Sequence, residues 1–340
     1  MHIAWLGKKS PFCGNVTYSR EVTNALLDRG YQVSFLHFAQ EAELERNHAT
    51  WSMAIGKWGK EISPSSFTQS LPPASCNEVS LPCLYKSQIY TIPTFKSSKV
   101  LMKALQRLQP DIVHASLTLS PLDFLLPEIC QELNIPLVAT FHPPFDRKLR
   151  NLTSGTQHLM YQLYAPFLAH YNSTIVFSQI QRDILVKLGV PQERVAVIPN
   201  GVDAAKYSPG PSSLKSELKA DRIFVYQGRI APEKNVESLL KAWKQCNFGP
   251  GNVLAIVGDG PLAASLQPFY GEDDGIVWLG FIADEERRIE ILRGADVFIL
   301  PSLVEGLSLS LLEAMATGLA CLATDAGADG EALEGGAGIV

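Results

Sequence analysis

The 340-residue sequence lacks three features that would each define a class of protein. No apolar run is long enough to cross a bilayer, and the first residues predict a short strand rather than a secretory signal. The six cysteines are scattered, without a CxxC pair or a His-rich spacing, which argues against structural zinc and against a disulfide framework. We therefore expect reduced thiols in a cytoplasmic protein.

Charged residues are also few, at 19% of the chain, and they are unevenly distributed. Residues 1–180 hold 15 Lys and Arg against 12 Asp and Glu, and the remainder holds 14 against 22, which gives net charges of +3 and −8. No basic stripe with interleaved aromatic residues is visible, so nucleic acid is not an expected partner. A chain of this length exceeds one hydrophobic core, and the charge asymmetry favours two domains with different partners.

Short apolar strands alternate with amphipathic helical stretches along the chain, and the pattern restarts after Val190. This alternation predicts an α/β protein with parallel sheets and crossover helices, in two successive doubly wound halves. The turn sequence Pro199-Asn200-Gly201 marks the boundary, with an N-terminal domain at 1–197 and a C-terminal domain at 198–340. Ligands of such sheets bind at the carboxyl ends of the strands, so site residues are expected there.

One stretch, from about residue 41 to residue 93, interrupts this pattern and is rich in Ser and Pro. It places two tryptophans near two lysines, namely Trp51, Lys57, Trp58 and Lys60. A long insertion of this kind is commonly functional or mobile. Tryptophan beside lysine suits the interface of an anionic membrane. The alternative is a small subsidiary core packed by the aromatic rings.

Two glutamates follow the apolar segment Ala295–Leu300, which predicts a buried strand. Glu305 lies on the loop after that strand, and Glu313 lies in the first turns of a helix predicted from about Ser308. A helix start after a parallel strand can hold a phosphate. Carboxylates accept hydrogen bonds, so the pair suits the hydroxyl groups of a sugar nucleotide. Alternatively, each is an ordinary exposed carboxylate.

Two further loops lie between predicted strands and helices. The segment Gly228–Lys234 reads GRIAPEK, and its Arg229 and Lys234 either neutralise a diphosphate or are ordinary surface charges. The segment GDGPLA, from Gly258, matches the G-x-G-x-x-A fingerprint of dinucleotide-binding folds. Its proline and its late position weaken that interpretation, which leaves an NAD-dependent dehydrogenase as an alternative.

Taken together, GR-x4-K, GDGP and E-x7-E resemble, in this order and spacing, the retaining glycosyltransferases of family 4. PNGVD, ADVFILPS and LLEAMATG agree with this resemblance, which covers most of the chain and is strongest from Val197 to Asp325. It implies a GT-B fold: two Rossmann-like domains facing across a cleft, with the nucleotide sugar held mainly by the C-terminal one. The donor that we expect is a UDP-sugar, UDP-galactose or UDP-glucose. Leu307-Ser308 stands where the family has Phe-Gly, and Gly327-Ala328 where it has Gly-Gly, so the backbone contacts to the phosphates are expected to differ in detail.

The resemblance also implies roles for individual residues. Arg229 and Lys234 would bind the diphosphate, Glu305 a hydroxyl of the donor sugar, and Glu313 the ribose. His142 would act near the donor sugar and the acceptor; otherwise it is a histidine at a strand end that its neighbours satisfy. Gly14 with Asn15 resembles a glycine loop that closes over the phosphates. The other donor-binding positions are Gly258, Gly260, Phe281, Ile282, Leu307, Ser308 and Leu309.

The expected chemistry needs no metal. Loss of a nucleoside diphosphate develops negative charge at the phosphates, which preorganised Arg, Lys and helix N–H groups stabilise. The Asp-x-Asp motif of metal-dependent glycosyltransferases of the other main fold does not occur in the sequence. We therefore expect no cofactor and no metal. The resemblance further implies retention of anomeric configuration, by front-face attack without a protein nucleophile.

The acceptor is suggested by a narrower resemblance. The segments VSLPCLYKSQIYTIP and FDRKLRNLTSGTQ look like a cyanobacterial branch of the family, the digalactosyldiacylglycerol synthase type. This branch implies transfer to monogalactosyldiacylglycerol and peripheral membrane contact through the N-terminal domain. Open alternatives are a soluble sugar or small-metabolite acceptor, a GT-B-fold nucleotide-sugar epimerase and a non-catalytic binding module. Members of the family normally continue beyond the point where this chain ends at GGAGIV, which predicts C-terminal truncation.

Overall fold

The structure is a computed structural model that describes residues 1–10, 13–40, 51–54, 76–145 and 152–340. Backbone contacts divide the chain into two compact units. The first unit comprises Met1–His142 and Tyr161–Ile198, and the second comprises Pro143–Met160 and Pro199–Val340. The segment Pro143–Met160 is thus grouped with the C-terminal half. The predicted division, a single boundary after residue 197, places this segment in the N-terminal domain.

The described residues form fourteen strands and eleven α-helices. The strands are β1 His2–Gly7, β2 Gln32–Gln40, β3 Trp51–Ala54, β4 Cys76–Lys86, β5 Thr91–Pro93, β6 Ile112–Ser116, β7 Leu137–Thr140, β8 Ser173–Val176, β9 Val195–Val197, β10 Arg222–Gln227, β11 Asn252–Val257, β12 Ile276–Gly280, β13 Val297–Leu300 and β14 Ala320–Ala323. The helices are α1 Gly14–Asp28, α2 Ser97–Leu108, α3 Leu126–Glu132, α4 Leu152–Leu168, α5 Gln179–Lys187, α6 Leu214–Leu218, α7 Val236–Cys246, α8 Ala263–Leu266, α9 Glu285–Gly294, α10 Leu309–Ala316 and α11 Asp329–Ala332. Among the described residues, no helix combines the length and the apolar character that crossing a membrane requires.

The first unit is built on one sheet, in which the described strands follow the order β3-β4-β2-β1-β6-β7-β8-β9. The pairs from β4 through β9 along this order are parallel, and β3 and β5 are antiparallel to β4. Strand β1 is central, and its Ile3, Ala4, Trp5 and Leu6 are buried. A parallel sheet is covered on both faces, which explains the continuous apolar runs in the sequence.

The structure corrects the predicted extent of the insertion. Strand β4 lies inside the interval 41–93 but pairs along its length with β2, from Val33 opposite Cys76 to Gln40 opposite Cys83. Its Val79, Leu81 and Cys83 are buried, so the alternation of a half-buried strand is present although Ser and Pro residues obscure it. Lys57, Trp58 and Lys60 lie outside the described residues, and of Trp51 only its place in β3 is described.

The second unit is a five-stranded parallel sheet in the order β12-β11-β10-β13-β14, counted over its described residues. Its core includes Tyr226 on β10, Trp243 on α7 and Phe298 on β13. Both units are therefore doubly wound α/β sheets, and the predicted fold class is confirmed. Loops that follow the carboxyl ends of β10, β11 and β13 contain the three motifs identified in the sequence.

Candidate functional site

Ion pairs hold both cations of the segment Gly228–Lys234, which follows β10. The Arg229 guanidinium pairs with the Glu233 carboxylate, four residues further along the chain. Lys234 Nζ lies 2.5 Å from Glu305 Oε1, and these two side chains are only 20% and 9% exposed. The Lys234–Glu305 pair therefore joins two motifs that lie 71 residues apart in the sequence.

Backbone contacts position the loop that carries Glu305. The Phe145 N–H donates to Glu305 O at 3.0 Å, and the Ala328 N–H donates to Gly306 O at 2.7 Å. Gly327 adopts a φ of +60°, and a Cβ added there would overlap Glu305 O. A side chain at this position is thus excluded both by backbone conformation and by the close approach of the Glu305 loop.

The start of α10 provides N–H groups that could bind a phosphate, but fewer of them than the sequence predicted. Ser308 is the N-cap of this helix, and its own N–H donates to Asp329 Oδ1 at 2.8 Å. The Ser308 N–H is therefore not available to a phosphate, which corrects that part of the prediction. The N–H groups of Leu307, Leu309 and Ser310 have no acceptor within the described part of the chain.

Asp329 is a buried carboxylic acid that the sequence did not single out. It is 0% exposed, and its Oδ2 has no hydrogen-bond partner among the described residues. Burial raises the pKa of Asp329 well above its usual range, and the charge of Glu305 acts in the same direction while Lys234 opposes it. This acid therefore connects the first turn of α10 to the Lys234–Glu305 pair electrostatically.

Glu313 is not an ordinary exposed carboxylate. Gln227, at the end of β10, donates from Nε2 to Glu313 Oε2 at 2.9 Å. Burial raises the pKa of Glu313 to about 7, against the opposing charge of Arg288 and a hydrogen bond from Tyr207. Glu313 is thus held at the carboxyl end of β10. Its burial there brings the pKa of its carboxyl group close to neutral pH.

Several buried polar atoms around these loops are unpaired. Within the described residues, hydrogen-bond partners are lacking for Asn200 Oδ1, Gln227 Oε1, Ser302 Oγ and Asp329 Oδ2. The amide nitrogen Nδ2 of Asn200 donates a hydrogen bond to Leu307 O at 3.0 Å, and Ser302 lies on the loop after β13. Buried polar groups are usually paired, so the free amide oxygens of Asn200 and Gln227 suit a ligand that donates hydrogen bonds through hydroxyl groups.

The GDGP loop has a structural explanation for its glycines. Gly258 adopts a φ of +135°, and a Cβ there would overlap Gly228 O; a Cβ at Gly260 would overlap Ile230 O. The helix that follows, α8, is only four residues long. Both glycines are therefore required by packing against the GRIAPEK loop, without a bound dinucleotide. Phe281, which is 61% exposed, and Ile282 follow the end of β12.

Three predicted or neighbouring residues meet in the first unit. Gly14 and Asn15 are the first two residues of α1, not part of a loop as predicted. Asn15 Nδ2 donates to Leu117 O at 3.1 Å, and Ser116 Oγ donates to Asn15 Oδ1 at 3.1 Å. Ser116 Oγ also lies 2.8 Å from His142 Nε2. The structure thus links Asn15 to His142 through a serine that the sequence did not single out.

Aromatic and polar neighbours surround this histidine. Its ring centroid lies 4.9 Å from that of Tyr18 and 5.3 Å from that of Phe177. Burial lowers the pKa of His142 to about 3, and the charges of His114 and Lys8 act in the same direction. His142 is therefore a neutral imidazole at physiological pH.

Two family descriptions match the chain. "Glycosyltransferase Family 4" matches residues 13–206, which is more than half of the chain, and "Glycosyl transferases group 1" matches residues 221–340. The chain belongs to glycosyltransferase family 4. The predicted family is thereby confirmed, and the Lys234–Glu305 pair lies within the second matched region.

Curated relatives of this family 4 chain include two enzymes whose names refer to lipid-linked sugars. The UDP-Gal:alpha-D-GlcNAc-diphosphoundecaprenol alpha-1,3-galactosyltransferase of Escherichia coli is 31% identical over 269 residues, covering 74% of this chain and 65% of the relative. The alpha-monoglucosyldiacylglycerol synthase of Streptococcus pneumoniae is 29% identical over 243 residues, covering 66% of this chain and 54% of the relative. The chain thus spans less than two thirds of each relative's length.

The fold of this family 4 chain is similar to that of several solved structures. Anabaena Alr3699/HepE, in complex with UDP and glucose, superposes with a TM-score of 0.70 at 19% identity, covering 99% of this chain and 84% of that chain. The sucrose-phosphate synthase of Thermosynechococcus elongatus superposes with a TM-score of 0.68 at 20% identity, covering 98% and 82%. These likenesses, with two parallel-sheet α/β units, identify the fold as GT-B.

Proposed function

We propose that this family 4 chain carries out the retaining transfer of a hexose, galactose or glucose, from UDP to a hydroxyl group of a membrane glycolipid. The observation that carries the proposal is the Lys234–Glu305 pair, in which Glu305 is buried and lies three residues before the N-cap of α10. In this proposal, a cation, a carboxylate and helix N–H groups without an acceptor bind one nucleotide sugar. The names of the Escherichia coli relative and of the HepE complex support UDP as the nucleotide.

In this proposal, the second unit stabilises the leaving group. The bond between the sugar C1 and the β-phosphate oxygen breaks, and negative charge develops on UDP. Arg229, Lys234 and the N–H groups of Leu307 and Leu309 face that charge, because cations and helix starts stabilise phosphates. The acceptor oxygen bonds to C1 from the same face, and its proton passes to the departing phosphate oxygen.

The carboxylates recognise hydroxyl groups. Glu305 Oε1 is bound by Lys234, and its Oε2 has no hydrogen-bond partner in the described chain, so Oε2 accepts from a hydroxyl of the donor sugar. Glu313 accepts from the ribose hydroxyls. Gly258 and Gly260 support the diphosphate loop, and Phe281 and Ile282 contact the base. In the first unit, we assign Gly14, Asn15 and His142 to binding of the donor sugar and the acceptor.

The proposed reaction is independent of metal ions, because the leaving group is neutralised by side-chain cations and N–H groups. Dialysis against EDTA is expected to leave the rate of transfer unchanged. Loss of transfer with EDTA, restored by Mg²⁺ or Mn²⁺, would contradict this part of the proposal. The control is a metal-dependent glycosyltransferase treated in the same buffer.

A lipid acceptor is supported by an exposed apolar surface in the first unit. Strands β4 and β5 form an antiparallel hairpin, and the large apolar side chains at and near its turn lie in solvent. We define the apolar hairpin as Leu84, Tyr85, Ile89, Tyr90, Ile92 and Phe95, all of which are exposed. Apolar residues with tyrosines among them suit the boundary between lipid headgroups and acyl chains.

A basic stripe follows the apolar hairpin directly in the sequence. Lys96, Lys99, Lys103 and Arg107 are exposed and recur at helical spacing along α2, which contains no acidic residue. Each basic residue near an anionic bilayer contributes about 1 kcal/mol of attraction. The apolar hairpin and this stripe together suit an anionic membrane surface, where the glycolipid acceptor is located.

The decisive experiment uses the full-length protein with liposomes that contain monogalactosyldiacylglycerol and anionic lipid. UDP-, GDP- and ADP-sugars are supplied in parallel, and the lipid products are separated. A digalactolipid formed only with UDP-galactose is the expected result. Release of UDP with a soluble sugar acceptor, and no lipid product, would favour the soluble-acceptor alternative. Conversion of the UDP-sugar without any acceptor product would favour an epimerase.

Membrane contact is tested separately by liposome flotation. Replacing Leu84 and Phe95 by serine is expected to reduce flotation with anionic vesicles. The control is Phe269→Ser, which removes an aromatic side chain that is also exposed but belongs to the second unit. Equal flotation of both variants and the parent protein would contradict the assignment of the apolar hairpin.

A further inference from the structure

A chain of hydrogen bonds in the first unit has a fixed direction. It begins at Leu117 O, which can only accept a hydrogen bond. Asn15 Nδ2 donates to this carbonyl at 3.1 Å, so the Asn15 amide has a single orientation. Asn15 Oδ1 therefore faces Ser116, whose Oγ lies 3.1 Å away.

The direction continues to His142. A serine hydroxyl has one hydrogen, and Asn15 Oδ1 has none to give, so Ser116 donates to Asn15. Ser116 Oγ must then accept from its second neighbour, His142 Nε2, at 2.8 Å. With the opposite direction, two oxygen atoms without a hydrogen between them would face each other at 3.1 Å. The hydrogen on the imidazole is thus on Nε2.

We propose that Asn15 and Ser116 are positioning residues that hold His142 as the Nε2–H tautomer, which makes Nδ1 a hydrogen-bond acceptor for a hydroxyl group of a sugar substrate. Among the described residues, His142 Nδ1 has no hydrogen-bond partner. The identity of the substrate rests on the proposed function, whereas the tautomer rests on the hydrogen bonds alone.

The surroundings keep the imidazole neutral and in place. The Tyr18 ring lies nearly perpendicular to the imidazole, at an interplanar angle of 76°, and the Phe177 ring packs at a tilt. The titratable groups that act on His142 are His114 and Lys8, and both oppose a positive charge on it. Tyr18 is itself held by Thr140, at 3.0 Å between hydroxyl oxygens. A neutral imidazole with one assigned hydrogen can accept from a hydroxyl without first losing a proton.

The test is the tautomer itself, measured by ¹⁵N NMR on the full-length protein labelled at histidine. The signal of His142 is assigned by its loss in His142→Gln. In the parent protein, Nε2 is expected at the position of a protonated nitrogen and Nδ1 at that of an unprotonated one. A protonated Nδ1 would overturn the proposal.

Asn15→Ala is the informative variant. Without the amide oxygen, the Ser116 hydrogen is free to donate to His142 Nε2, so the Nδ1–H tautomer is expected to appear. Asn15→Asp loses the donor to Leu117 O but keeps an acceptor for Ser116, and is expected to retain the Nε2–H tautomer. The matched control is Ser19→Ala, which removes a longer, 3.4 Å contact to the same Asn15 oxygen and should not change the tautomer. An unchanged tautomer in Asn15→Ala would overturn the proposal.

Kinetics then connect the tautomer to the reaction. Because one hydrogen bond to a substrate hydroxyl is affected, kcat of Asn15→Ala and of Ser116→Ala is expected to fall about three- to tenfold. Partial recovery of kcat in Asn15→Asp would accompany recovery of the tautomer. A drop in kcat with an unchanged tautomer would overturn the positioning role. The expected tautomers without any sugar transfer by the parent protein would contradict only the proposed function.

Discussion

The two units hold their candidate residues by different physical means. In the second unit, the side chains are charged and paired: Arg229 with Glu233, and Lys234 with Glu305. In the first unit, neutral groups are joined by hydrogen bonds: Ser116 contacts both Asn15 and His142. Tyr18, whose ring packs against His142, contacts Thr140. Paired charges suit the binding of a diphosphate, whereas a neutral hydrogen-bond chain suits the recognition of sugar hydroxyls without a change of charge.

This contrast also predicts how each unit responds to substitution. A buried charge that loses its partner is costly, because it is left uncompensated in a medium of low polarity. A neutral hydrogen bond contributes about 1 kcal/mol net, so its loss is tolerated. Substitutions in the second unit should therefore have large effects, and matched substitutions in the first unit should have small ones.

Lys234→Ala is expected to have the largest effect. Removing one preorganised group that stabilises transition-state charge typically lowers kcat about 100- to 1,000-fold. Hexose transfer is measured with saturating donor, and folding is checked by circular dichroism. The control is Lys241→Ala, which breaks an exposed pair with Glu237 on α7 and should leave the rate near that of the parent protein.

The double variant Lys234→Ala/Glu305→Ala separates stability from activity. The single lysine variant leaves Glu305 buried and unpaired, which typically costs about 3–5 kcal/mol of the free energy of unfolding. Removing both partners should restore part of that stability but none of the transfer. A double variant that transfers hexose at the parent rate would show that the charged pair has no role in the mechanism.

Gly327→Ala tests the loop that carries the pair. The added Cβ would overlap Glu305 O in a left-handed backbone conformation, so the free energy of unfolding is expected to fall by about 1–3 kcal/mol. Denaturant titration measures this loss. Gly201→Ala is the matched control, because nothing lies within 4 Å of a Cβ added there. Equal stability of the two variants would show that the Glu305 loop can shift.

Asp329→Asn tests the pH dependence of the second unit. The folded pKa of Asp329 is raised from its ordinary value of 3.8, so the folded protein binds a proton that the unfolded chain has lost. Its contribution to the free energy of unfolding is greatest at low pH and decreases as pH rises toward the folded pKa. The variant should therefore gain about 1–3 kcal/mol relative to the parent protein as pH rises from about 5 to about 8. The difference is measured by denaturant titration at several pH values; a constant difference would contradict the raised pKa.

Tyr18→Phe in the first unit should have the smallest effect. It removes one hydrogen bond between neutral hydroxyl groups, to Thr140, while the ring contact with His142 is kept. The expected loss is about 1 kcal/mol of the free energy of unfolding, independent of pH between 5 and 8. A loss as large as that of Lys234→Ala, or a pH-dependent one, would break the contrast between the units.

Much of the fold could be predicted because its signals are local. The strands His2–Gly7 and Val297–Leu300 are continuous apolar runs, and the helix Leu309–Ala316 ends just before a glycine, so periodicity and stop signals were enough. Strand β4 was missed, because its one serine and one proline imitate a loop while the pairing partner that defines it, β2, is about 40 residues earlier.

The candidate site could be predicted only as far as residue type and motif spacing allowed. Both members of the Lys234–Glu305 pair were identified, but their direct contact was not, because it depends on how two loops pack. Asp329 gave no signal, since an aspartate before glycine is typical of a turn. The contact between Phe145 and Glu305 O depends on a chain segment that leaves its sequence neighbours, which no local pattern encodes.

The loop packing around Gly258 has a consequence for protein engineering. The GRIAPEK and GDGP segments exchange backbone hydrogen bonds, from Ile230 N–H to Asp259 O and from Leu262 N–H to Ile230 O. Gly258 and Gly260 of the second segment lie against the backbone of the first. Neither segment can be transplanted alone into another scaffold without exposing a gap or a clash. A graft, a chimera or a library of variants therefore has to treat the two loops as one exchangeable cassette.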